Sequence, residues 1–291
     1  MARKFSSIRL LAVCLLLAPC AARCNKPGSG VGTFDNPNYT PYVPDPAFPA
    51  GEGPLVLLDR AHDNTHSWLN GFAALGELLL AMGFVTGEAI VPVDQLDLSA
   101  VGTFIYARPK TYLTESEHDA IATAVCSLGM SFLGVADHSG ATGILQVADI
   151  AQDFGALVED TYVVPTEIVF NGSLLGLHPV NTGVSYIRAY DGSSALWVDG
   201  IAEPLLVFPE GAHDKAGNSL AGHARAVVGA CGAGRWAIVL DVQLLTSKCV
   251  GSCAEKVTGF QGSTNGILDA EFDELWGQNL IRWLNHLPPA G

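Results

Sequence analysis

The most regular hydrophobic pattern of the chain begins at Leu55. Four apolar residues lead directly into Asp59, and a run this short and continuous is typical of a strand buried on both faces of a parallel sheet. After a polar loop, apolar residues recur at helical spacing from Ser67 to Met82, and Gly83 follows them. Because glycine commonly ends a helix, the pattern predicts a strand at 54–59 and a helix at 67–82.

Strand-like and helix-like segments continue to alternate as far as residue 154. The pattern predicts strands at 84–91, 103–107 and 131–136, and helices at 114–128 and 144–154. Thr114 and Glu117 have the spacing of a capping box, in which a hydroxyl and a carboxylate satisfy the first backbone N–H groups of a helix. This alternation indicates an α/β fold with a doubly wound, mostly parallel sheet.

The second half of the chain is richer in strand-like segments. They lie at 163–170, 184–190, 195–198, 205–208, 224–230 and 235–241, with Gly and Pro turns between them, and a closing helix is predicted at 272–287. The sequence has no internal repeat and no pattern of a second core. Residues 54–288 are therefore predicted to form a single α/β domain with a β-rich C-terminal half.

Two segments precede this domain. Residues 1–22 combine three basic residues, the apolar run Leu10 to Leu17 and several small residues, which together predict a secretory signal peptide and an extracytoplasmic protein. Leu17-Ala18-Pro19-Cys20 resembles a bacterial lipoprotein signal, although Pro19 departs from the usual small residue, so lipid anchoring and release both stay open. Residues 23–53 are rich in Pro and Gly and are predicted to form a linker or a loosely docked arm, since Tyr39, Tyr42 and Phe48 suit contact with the domain surface.

Composition narrows the functional classes. Apolar residues make up 49% of the chain and charged residues only 15%, which favours a substantial core and argues against disorder. The formal net charge is -14, and Lys and Arg form no cluster beyond the first nine residues. Nucleic-acid binding is therefore not expected, because phosphate recognition needs clustered basic side chains. A membrane contact is expected only through a lipid anchor.

Four cysteines lie in the body of the chain. Cys249 and Cys253 flank a short polar loop and are predicted to form a local disulfide, because an oxidising compartment favours such pairing. Cys126 lies among apolar residues of a predicted helix and is expected to be a small buried hydrophobe. The pairing of Cys126 and Cys231 is left open.

Polar, ionisable residues follow three of the predicted strands. If these strands are parallel and central, their carboxyl ends meet at one edge of the sheet, where ligands of such folds bind. Convergent Asp and His side chains suit sugar recognition, acid–base chemistry or metal binding, although a single Asp at a strand end more often caps a helix. The candidate ligand-binding residues are Asp59, His62, Asn64 and His66 after the first strand, Asp137 and His138 after the strand at 131–136, and Asp241.

Two common kinds of active site lack their usual residues here. A nucleophile on such a fold is expected on a sharp turn after a strand, but Ala136 or Asp137 stands there, and Ser139 comes late. The first strand is not followed by the Gly-rich motif of dinucleotide sites. These observations disfavour a serine hydrolase and a nucleotide-binding enzyme.

The order of several short motifs resembles the class I glutamine amidotransferase-like superfamily, in a secreted branch of unknown function. These motifs are Val56-Leu57-Leu58-Asp59-Arg60-Ala61-His62-Asp63-Asn64, Leu113-Thr114-Glu115-Ser116-Glu117, Val135-Ala136-Asp137-His138-Ser139-Gly140, His178-Pro179-Val180-Asn181-Thr182-Gly183, Gly232-Ala233-Gly234-Arg235 and Asn279-Leu280-Ile281-Arg282-Trp283-Leu284. The resemblance implies a flavodoxin-like sandwich. True amidotransferases attack glutamine with an elbow Cys that this chain lacks, so glutaminase activity is not expected.

The leading functional hypothesis is therefore an extracytoplasmic domain that binds a small polar ligand, such as a carbohydrate, at this edge. Four aromatic residues are candidates for stacking against such a ligand: Trp68, Tyr106, Tyr112 and Trp236. No cofactor is expected, with a divalent metal ion left open. The alternatives are a hydrolase that uses Asp and His, directly or through a metal ion, and a structural envelope module with a vestigial site.

Overall fold

The computed structural model describes residues 33–250, 256–259, 263–264, 267–268 and 273–290. Its strands are β1 Thr33–Asp35, β2 Leu55–Asp59, β3 Val85–Ala89, β4 Val101–Ala107, β5 Ser131–Val135, β6 Ala156–Glu159, β7 Val163–Val164, β8 Glu167–Asn171, β9 Tyr186–Tyr190, β10 Ser194–Trp197, β11 Ala202–Val207, β12 His213–Asp214, β13 Ala224–Cys231, β14 Gly234–Val239, β15 Ser247–Val250, β16 Lys256–Gly259, β17 Ser263–Thr264 and β18 Ile267–Leu268. Its α-helices are α1 Ala73–Ala81, α2 Glu115–Thr123, α3 Ile144–Asp153 and α4 Asp273–Leu284, and a π-helical turn, Ala124–Leu128, extends α2. Across these residues, no helix combines the length and the apolar character that a membrane crossing requires.

A nine-stranded sheet organises the described part of the chain. Its main path is β3-β2-β4-β5-β14-β13-β10-β6, and β11 pairs with β13. The strands from β3 to β14 are all parallel to their neighbours. Taken in chain order, these five strands lie in the order 2-1-3-4-5, which is the flavodoxin-like arrangement. The prediction of a flavodoxin-like α/β fold with a β-rich C-terminal half is confirmed.

Each face of the sheet has its own hydrophobic core. Successive side chains of a strand point to opposite faces, so Leu58 and Val135 pack with α1 and α4, whereas Leu57 and Phe132 pack with α2 and α3. Both sets are almost fully buried. Continuous apolar runs such as Leu55–Leu58 are therefore explained by helices that cover both faces of the parallel strands.

Most predicted elements are present, with two informative differences. The first helix begins at Ala73 rather than at Ser67, because residues 67–72 form a turn in which Ser67 and Asn70 exchange backbone hydrogen bonds. Leu69 therefore lies outside the helix and is exposed. The predicted strand at 163–170 is split into β7 and β8, and Pro165, which has no N–H to give to a ladder, lies in the gap.

Residues 33–53 are packed on the domain, as a docked arm rather than as a free linker. β1 pairs with β15, and Tyr39 is buried in the core on the α1 and α4 face. Phe48 packs edge-on against Phe84 with 5.2 Å between ring centroids. The Pro-rich composition reflects an irregular but well-anchored segment. The signal-peptide region lies outside the described residues.

Cys126 forms a disulfide with Cys231, which corrects the expectation that Cys126 is a buried free thiol. The bond joins the π-helical turn after α2 to the end of β13, at the edge of the sheet opposite the candidate site. The sequence could not decide this pair because the two cysteines are 105 residues apart. Cys253 lies outside the described residues, so the pairing of Cys249 with Cys253 stays a prediction.

Candidate functional site

The three predicted aspartates lie at one edge of the sheet but on opposite faces. Asp59 is the last residue of β2, and Asp137 and Asp241 each follow their strand by two residues. Side-chain alternation puts Asp59 on the α2 and α3 face with Leu57, and it puts Asp137 and Asp241 on the α1 and α4 face with Val135 and Val239. The single pocket expected from the sequence is therefore two separate groups of polar residues.

The first group is a buried network of Asp59, His62 and Glu117. His62 Nδ1 lies 2.9 Å from Asp59 Oδ2, and its Nε2 lies 3.2 Å from Glu117 Oε1. All three residues are at most 5% exposed. Glu117 is held in turn by Thr114, through the capping box that the sequence predicted at the start of α2.

Both nitrogens of His62 face a carboxylate, so the imidazole must carry two protons to satisfy both acceptors. Burial alone lowers the pKa of His62, but hydrogen bonds and charge from Asp59 and Glu117 outweigh that effect and raise it. Burial also acts to raise the pKa of Glu117, yet the hydrogen bonds from Thr114 and the charge of His62 lower it overall. The network is an ion triad whose members already have their partners.

This triad fills the place where flavodoxin-like folds usually bind ligands. The strand order reverses between β2 and β4, and such folds bind ligands in the crevice beyond that point. Here the ring of Tyr106 packs edge-on against His62, and the His62 carbonyl accepts the N–H of Lys110 at 2.9 Å. Asp59 and His62 therefore link the loops after β2 and β4. The carboxylate oxygens of Asp59 and the ring nitrogens of His62 all have hydrogen-bond partners within the protein.

The second group surrounds Asp137 on the α1 and α4 face. Arg108 Nη1 lies 3.6 Å from Asp137 Oδ2, and Asp137 is 7% exposed. Arg108 directly follows β4 and has φ +45°, a backbone conformation that costs energy for a non-glycine residue and is frequent at functional sites. Arg225 is fully buried on β13, which is two strands away from β5 in the sheet, and its Nη1 donates to the carbonyl of Leu240 at 3.3 Å.

Asp241 is fully buried below this group. Its two oxygens accept the N–H groups of Tyr190 (2.7 Å) and Gln243 (2.8 Å), so it caps the short helical turn Val242–Leu245. Burial raises the pKa of Asp241 to about 7, and the charge of Arg225 offsets this only in part. The structure thus gives Asp241 the capping role that the sequence left as an alternative to ligand binding.

Asn64 and His66 lie in the loop after β2 and are each 5% exposed. Asn64 Nδ2 donates to the carbonyl of Ala107 at 2.9 Å, whereas Asn64 Oδ1 and His66 Nε2 have no hydrogen-bond partner among the described residues. Burial lowers the pKa of His66 to about 3, with further contributions from Lys248, Arg108 and Arg60. His66 is therefore a neutral imidazole in a positively charged environment.

The side chain of His138 has different contacts from that of Asp137. Its Nδ1 lies 2.7 Å from the carbonyl oxygen of Ser139, and its ring packs on Tyr162 with 4.7 Å between centroids. The Tyr162 hydroxyl donates to Asp191 at 2.5 Å, and Lys215 Nζ lies 3.6 Å from the centre of the Tyr162 ring.

Four residues of this edge were missed in the sequence: Arg108, Glu117, Arg225 and Lys248. Arg108 carried a usable signal, because it is the first polar residue after a predicted parallel strand, as Asp59 is. Glu117 was identified only as part of a helix cap. Arg225 begins an antiparallel strand and Lys248 lies in a separate sheet, so no strand-end rule could place them here.

The described residues give little support for a metal site or for stacking against the ring of a ligand. Within the ranges given above, no three His, Cys, Asp or Glu side chains are grouped so that they could hold a metal ion. Of the four aromatic candidates, Tyr106 and Trp236 are fully buried in the core, and Trp68 Nε1 donates to the carbonyl of Gly87. Tyr112 alone of these four is half exposed.

No protein-family model and no curated protein matches the chain. Solved structures do match. The mmIFT52 N-terminal domain is 14% identical with a TM-score of 0.59, covering 79% of this chain and 97% of that one. A protein described as ThuA-like from Bacteroides uniformis ATCC 8492 is 13% identical with a TM-score of 0.47, covering 85% and 97%. The cytoplasmic protein STM1381 from Salmonella typhimurium LT2 is 10% identical with a TM-score of 0.47, covering 79% and 98%.

These likenesses concern the fold alone. The mmIFT52 domain shares the overall fold of this chain. The flavodoxin-like fold that the resemblance to class I amidotransferase-like proteins implies is supported by the strand order of the sheet. Membership of a secreted branch stays a prediction.

Proposed function

We propose that the chain is an extracytoplasmic domain that binds a small polar ligand at the ends of β2, β4 and β5, on the face of α1 and α4. One observation carries the proposal: Asn64 Oδ1 and His66 Nε2 are buried beside the Arg108 and Asp137 group, and the part of the chain that the structure describes gives neither atom a hydrogen-bond partner. About nine in ten buried polar groups in proteins have a hydrogen-bond partner. Two exceptions in one loop, at the ligand-binding edge of this fold, favour a bound molecule as the missing partner.

An extracytoplasmic location is part of this proposal. It is supported by the signal-peptide pattern of residues 1–22 and by the disulfide between Cys126 and Cys231, because such bonds persist in oxidising compartments. The word cytoplasmic in the name of the Salmonella protein STM1381 describes the location of that protein only. Whether the mature chain carries a lipid on Cys20 is decided by the mass of its N-terminal peptide.

Binding is preferred to catalysis because burial lowers the pKa of His66 to about 3, which makes it a weak base at neutral pH, and the other two histidines of this edge are engaged. Both nitrogens of His62 are engaged by carboxylates, and His138 Nδ1 contacts a backbone carbonyl. The turn after β5 carries Ala136 and Asp137 where an amidotransferase has its Cys. The proposed domain is therefore not a glutaminase.

A thermal-shift screen of the mature chain tests the proposal. A ligand that binds only the folded state stabilises it by RT ln(1 + [L]/Kd) and so raises Tm. Neutral sugars, sugar acids, amino acids and nucleosides form the panel. We expect at least one compound to raise Tm, and we expect Asp137→Asn to abolish that shift. Asp153→Asn is the matched control. Asp153 lies on α3, away from the site, and pairs with His118 of α2. A panel with no shift would favour the structural module instead, and equal shifts in both variants would overturn the location beside Asp137.

A further inference from the structure

A groove runs along α2 on the α2 and α3 face of the sheet, away from the ligand site proposed above. Its volume is about 480 Å³. One wall is α2 with the π-helical turn that extends it, and the other is formed by the two short helical turns Val93–Gln95 and Leu98–Ala100. The groove is therefore a second candidate site, on the opposite face of the sheet.

Part of the groove is apolar and open to solvent. Its apolar residues are Leu96, Leu98, Ala120, Ala124 and Leu128, and Leu128 is 57% exposed. Ala120 and Ala124 lie four residues apart and so on one side of α2, where their small side chains let another helix approach closely. Leu128 ends the π-helical turn, a distortion that is frequent at functional sites. This surface favours contact with the apolar face of another element.

Three carboxylates line the same groove. Asp94, Asp97 and Asp119 are exposed, and no described Lys or Arg is among the residues that line it. Asp94 accepts a hydrogen bond from the hydroxyl of Ser116 at 2.8 Å, and Asp97 accepts one from the hydroxyl of Ser99 at 2.6 Å. These donors are neutral, and none of the three aspartates forms an ion pair with another described residue. The groove therefore offers uncompensated negative charge beside an apolar surface.

A hydrogen bond and a disulfide hold the two walls in place. At one end of the groove, the N–H of Val93 donates to Glu117 Oε1 at 3.2 Å, which joins the turn Val93–Gln95 to α2. At the other end, the disulfide between Cys126 and Cys231 joins the π-helical turn to β13. Docking of a partner would therefore lose little free energy to ordering of the groove.

We infer that this groove is the docking site of a basic amphipathic helix of a partner protein. The Leu or Ile side chains of that helix pack on Ala124 and Leu128, and its Lys or Arg side chains pair with the three aspartates. Charge complementarity selects a basic partner, whereas a second copy of this chain, with a formal net charge of -14, would be repelled. The wall from Ser116 to Leu128 is about 18 Å long at about 1.5 Å per residue, which suits a helix of about 12 residues. This inference is independent of the proposed function.

Fluorescence anisotropy of a labelled peptide, titrated with the mature chain, tests this inference. The peptide has about 14 residues, so that it can form a helix, with Leu on one face and Lys on the other. One comparison peptide has Glu at every Lys position, and another has Ser at every Leu position. The Leu/Lys peptide is expected to bind at least about tenfold more tightly than either. Its binding should weaken as NaCl is raised from about 50 to 500 mM, since salt screens the attraction.

Two variants locate the binding site. Leu128→Gln is expected to weaken binding of the Leu/Lys peptide at least about fivefold, because it removes the most exposed apolar side chain of the groove. Leu80→Gln is the matched control, since Leu80 is 54% exposed on α1, on the other face of the sheet. The second variant replaces the three aspartates together and is expected to weaken binding at least about tenfold: Asp94→Asn, Asp97→Asn and Asp119→Asn.

The control for this triple variant removes the same number of charges elsewhere. It replaces three exposed carboxylates that do not line the groove: Glu52→Gln, Glu203→Gln and Glu210→Gln. Asn also keeps the capping role of Asp97 at the start of the turn Leu98–Ala100. The folded state of every variant is checked by its Tm in the absence of peptide.

Equal weakening in Leu128→Gln and Leu80→Gln, or in the two triple variants, would overturn the assignment of the peptide to this groove. Equal binding of the Leu/Lys and Leu/Glu peptides would overturn the basic character of the partner. Absence of Leu/Lys peptide binding at about 100 μM chain would overturn the docking site itself. Sedimentation equilibrium tests the other occupant, because a dimer that dissociates in Leu128→Gln would assign the groove to a second copy of the chain instead.

Discussion

At the scale of single residues, the most demanding feature is the charged imidazole of His62. A buried charge is tolerated only with partners, and His62 has a carboxylate on each nitrogen. Removing one member of such a group leaves another charge buried and unpaired, which typically costs about 3–5 kcal/mol. His62 is therefore expected to matter more for stability than for binding.

His62→Gln should lower the free energy of unfolding by about 3 kcal/mol at pH 6. The difference from the wild type should shrink as pH rises, because the folded-state pKa of His62 lies above its unfolded value of about 6.5 and the stabilisation is lost through that folded pKa. The lowered pKa of Glu117 adds a loss as pH falls below about 4.5. Urea denaturation between pH 4 and 9 measures both the loss of stability at high pH and the loss at low pH.

His118→Gln is the control for this experiment. His118 also lies between two carboxylates, Asp149 and Asp153, but those side chains are 46% and 41% exposed. An exposed pair contributes at most about 1 kcal/mol, so this variant should lose little. Equal losses in the two variants would contradict the assignment of His62 to a buried ion triad.

The sequence could predict which residues lie at this edge only where they directly follow a strand in the chain. The sequence pointed to Asp59 and His62 because they follow a strand, and both do lie at the expected edge. It could not show that Glu117, 55 positions after His62, closes the network and occupies the second nitrogen. The contacts therefore give Asp59 and His62 a structural role, whereas a ligand role for Asn64 and His66 stays a prediction.

At the scale of elements, the long apolar runs gave reliable strands and the short irregular segments did not. β2, β4 and β5 were predicted to within two residues of their observed bounds, because strands buried on both faces need uninterrupted apolar sequence. The start of α1 was misplaced because Leu69 fits the helical period by chance and is exposed. The turn at 67–72 depends on Gly71, whose φ of +80° no periodicity signals.

The disulfide between Cys126 and Cys231 gives an element-scale prediction. It closes a loop of 105 residues and joins the end of the α2 region to β13. Replacing both cysteines by Ser should lower the free energy of unfolding by about 2–5 kcal/mol, because the unfolded chain gains freedom. Guanidinium denaturation of the wild type with and without dithiothreitol should show the same loss, and the double variant should not respond to the reductant.

The outcome that would contradict this assignment is a wild-type stability that reduction leaves unchanged. Cys249→Ser and Cys253→Ser serve as the comparison. An effect of reductant that disappears in these variants, but persists when Cys126 and Cys231 are replaced, would place the stabilising bond in the loop at 249–253.

At the scale of the whole molecule, residues 33–53 belong to the domain. Gln278 Nε2 donates to the Tyr42 carbonyl at 2.8 Å, and Arg282 Nη1 donates to the Asp45 carbonyl at 3.0 Å, so α4 holds this arm along its length. Composition could not reveal this, because Pro and Gly mark irregular backbone whether or not it is docked. The contacts depend on α4, which lies more than 200 residues further along the chain.

A chain that begins at residue 54 should therefore be less stable than one that begins at residue 23. The expected loss is about 3–6 kcal/mol, since burial of one aromatic side chain contributes about 1.5–3 kcal/mol and both Tyr39 and Phe48 are removed. Thermal unfolding of the two chains measures the difference. Identical Tm values would restore the linker interpretation.

The whole-molecule arrangement also explains why the sequence placed one pocket where the structure has two groups. Strand ends converge at a common edge, which the sequence could predict, but each side chain then points to one of two faces. Successive side chains alternate between the two faces, so moving a polar residue by one position along the strand puts it on the other face. Asp59 follows Leu57 on one face, and Asp137 follows Val135 on the other.

The central claim is that a small ligand binds on the α1 and α4 face beside His66, while the Asp59, His62 and Glu117 triad is closed. Two-dimensional NMR of the imidazole nitrogens of 15N-labelled protein, titrated with the compound that raises Tm most in the thermal-shift panel, tests it with an internal control. The Nε2 resonance of His66 should move in a saturable way, and both resonances of His62 should stay where they are. Movement at His62 with none at His66 would contradict the account.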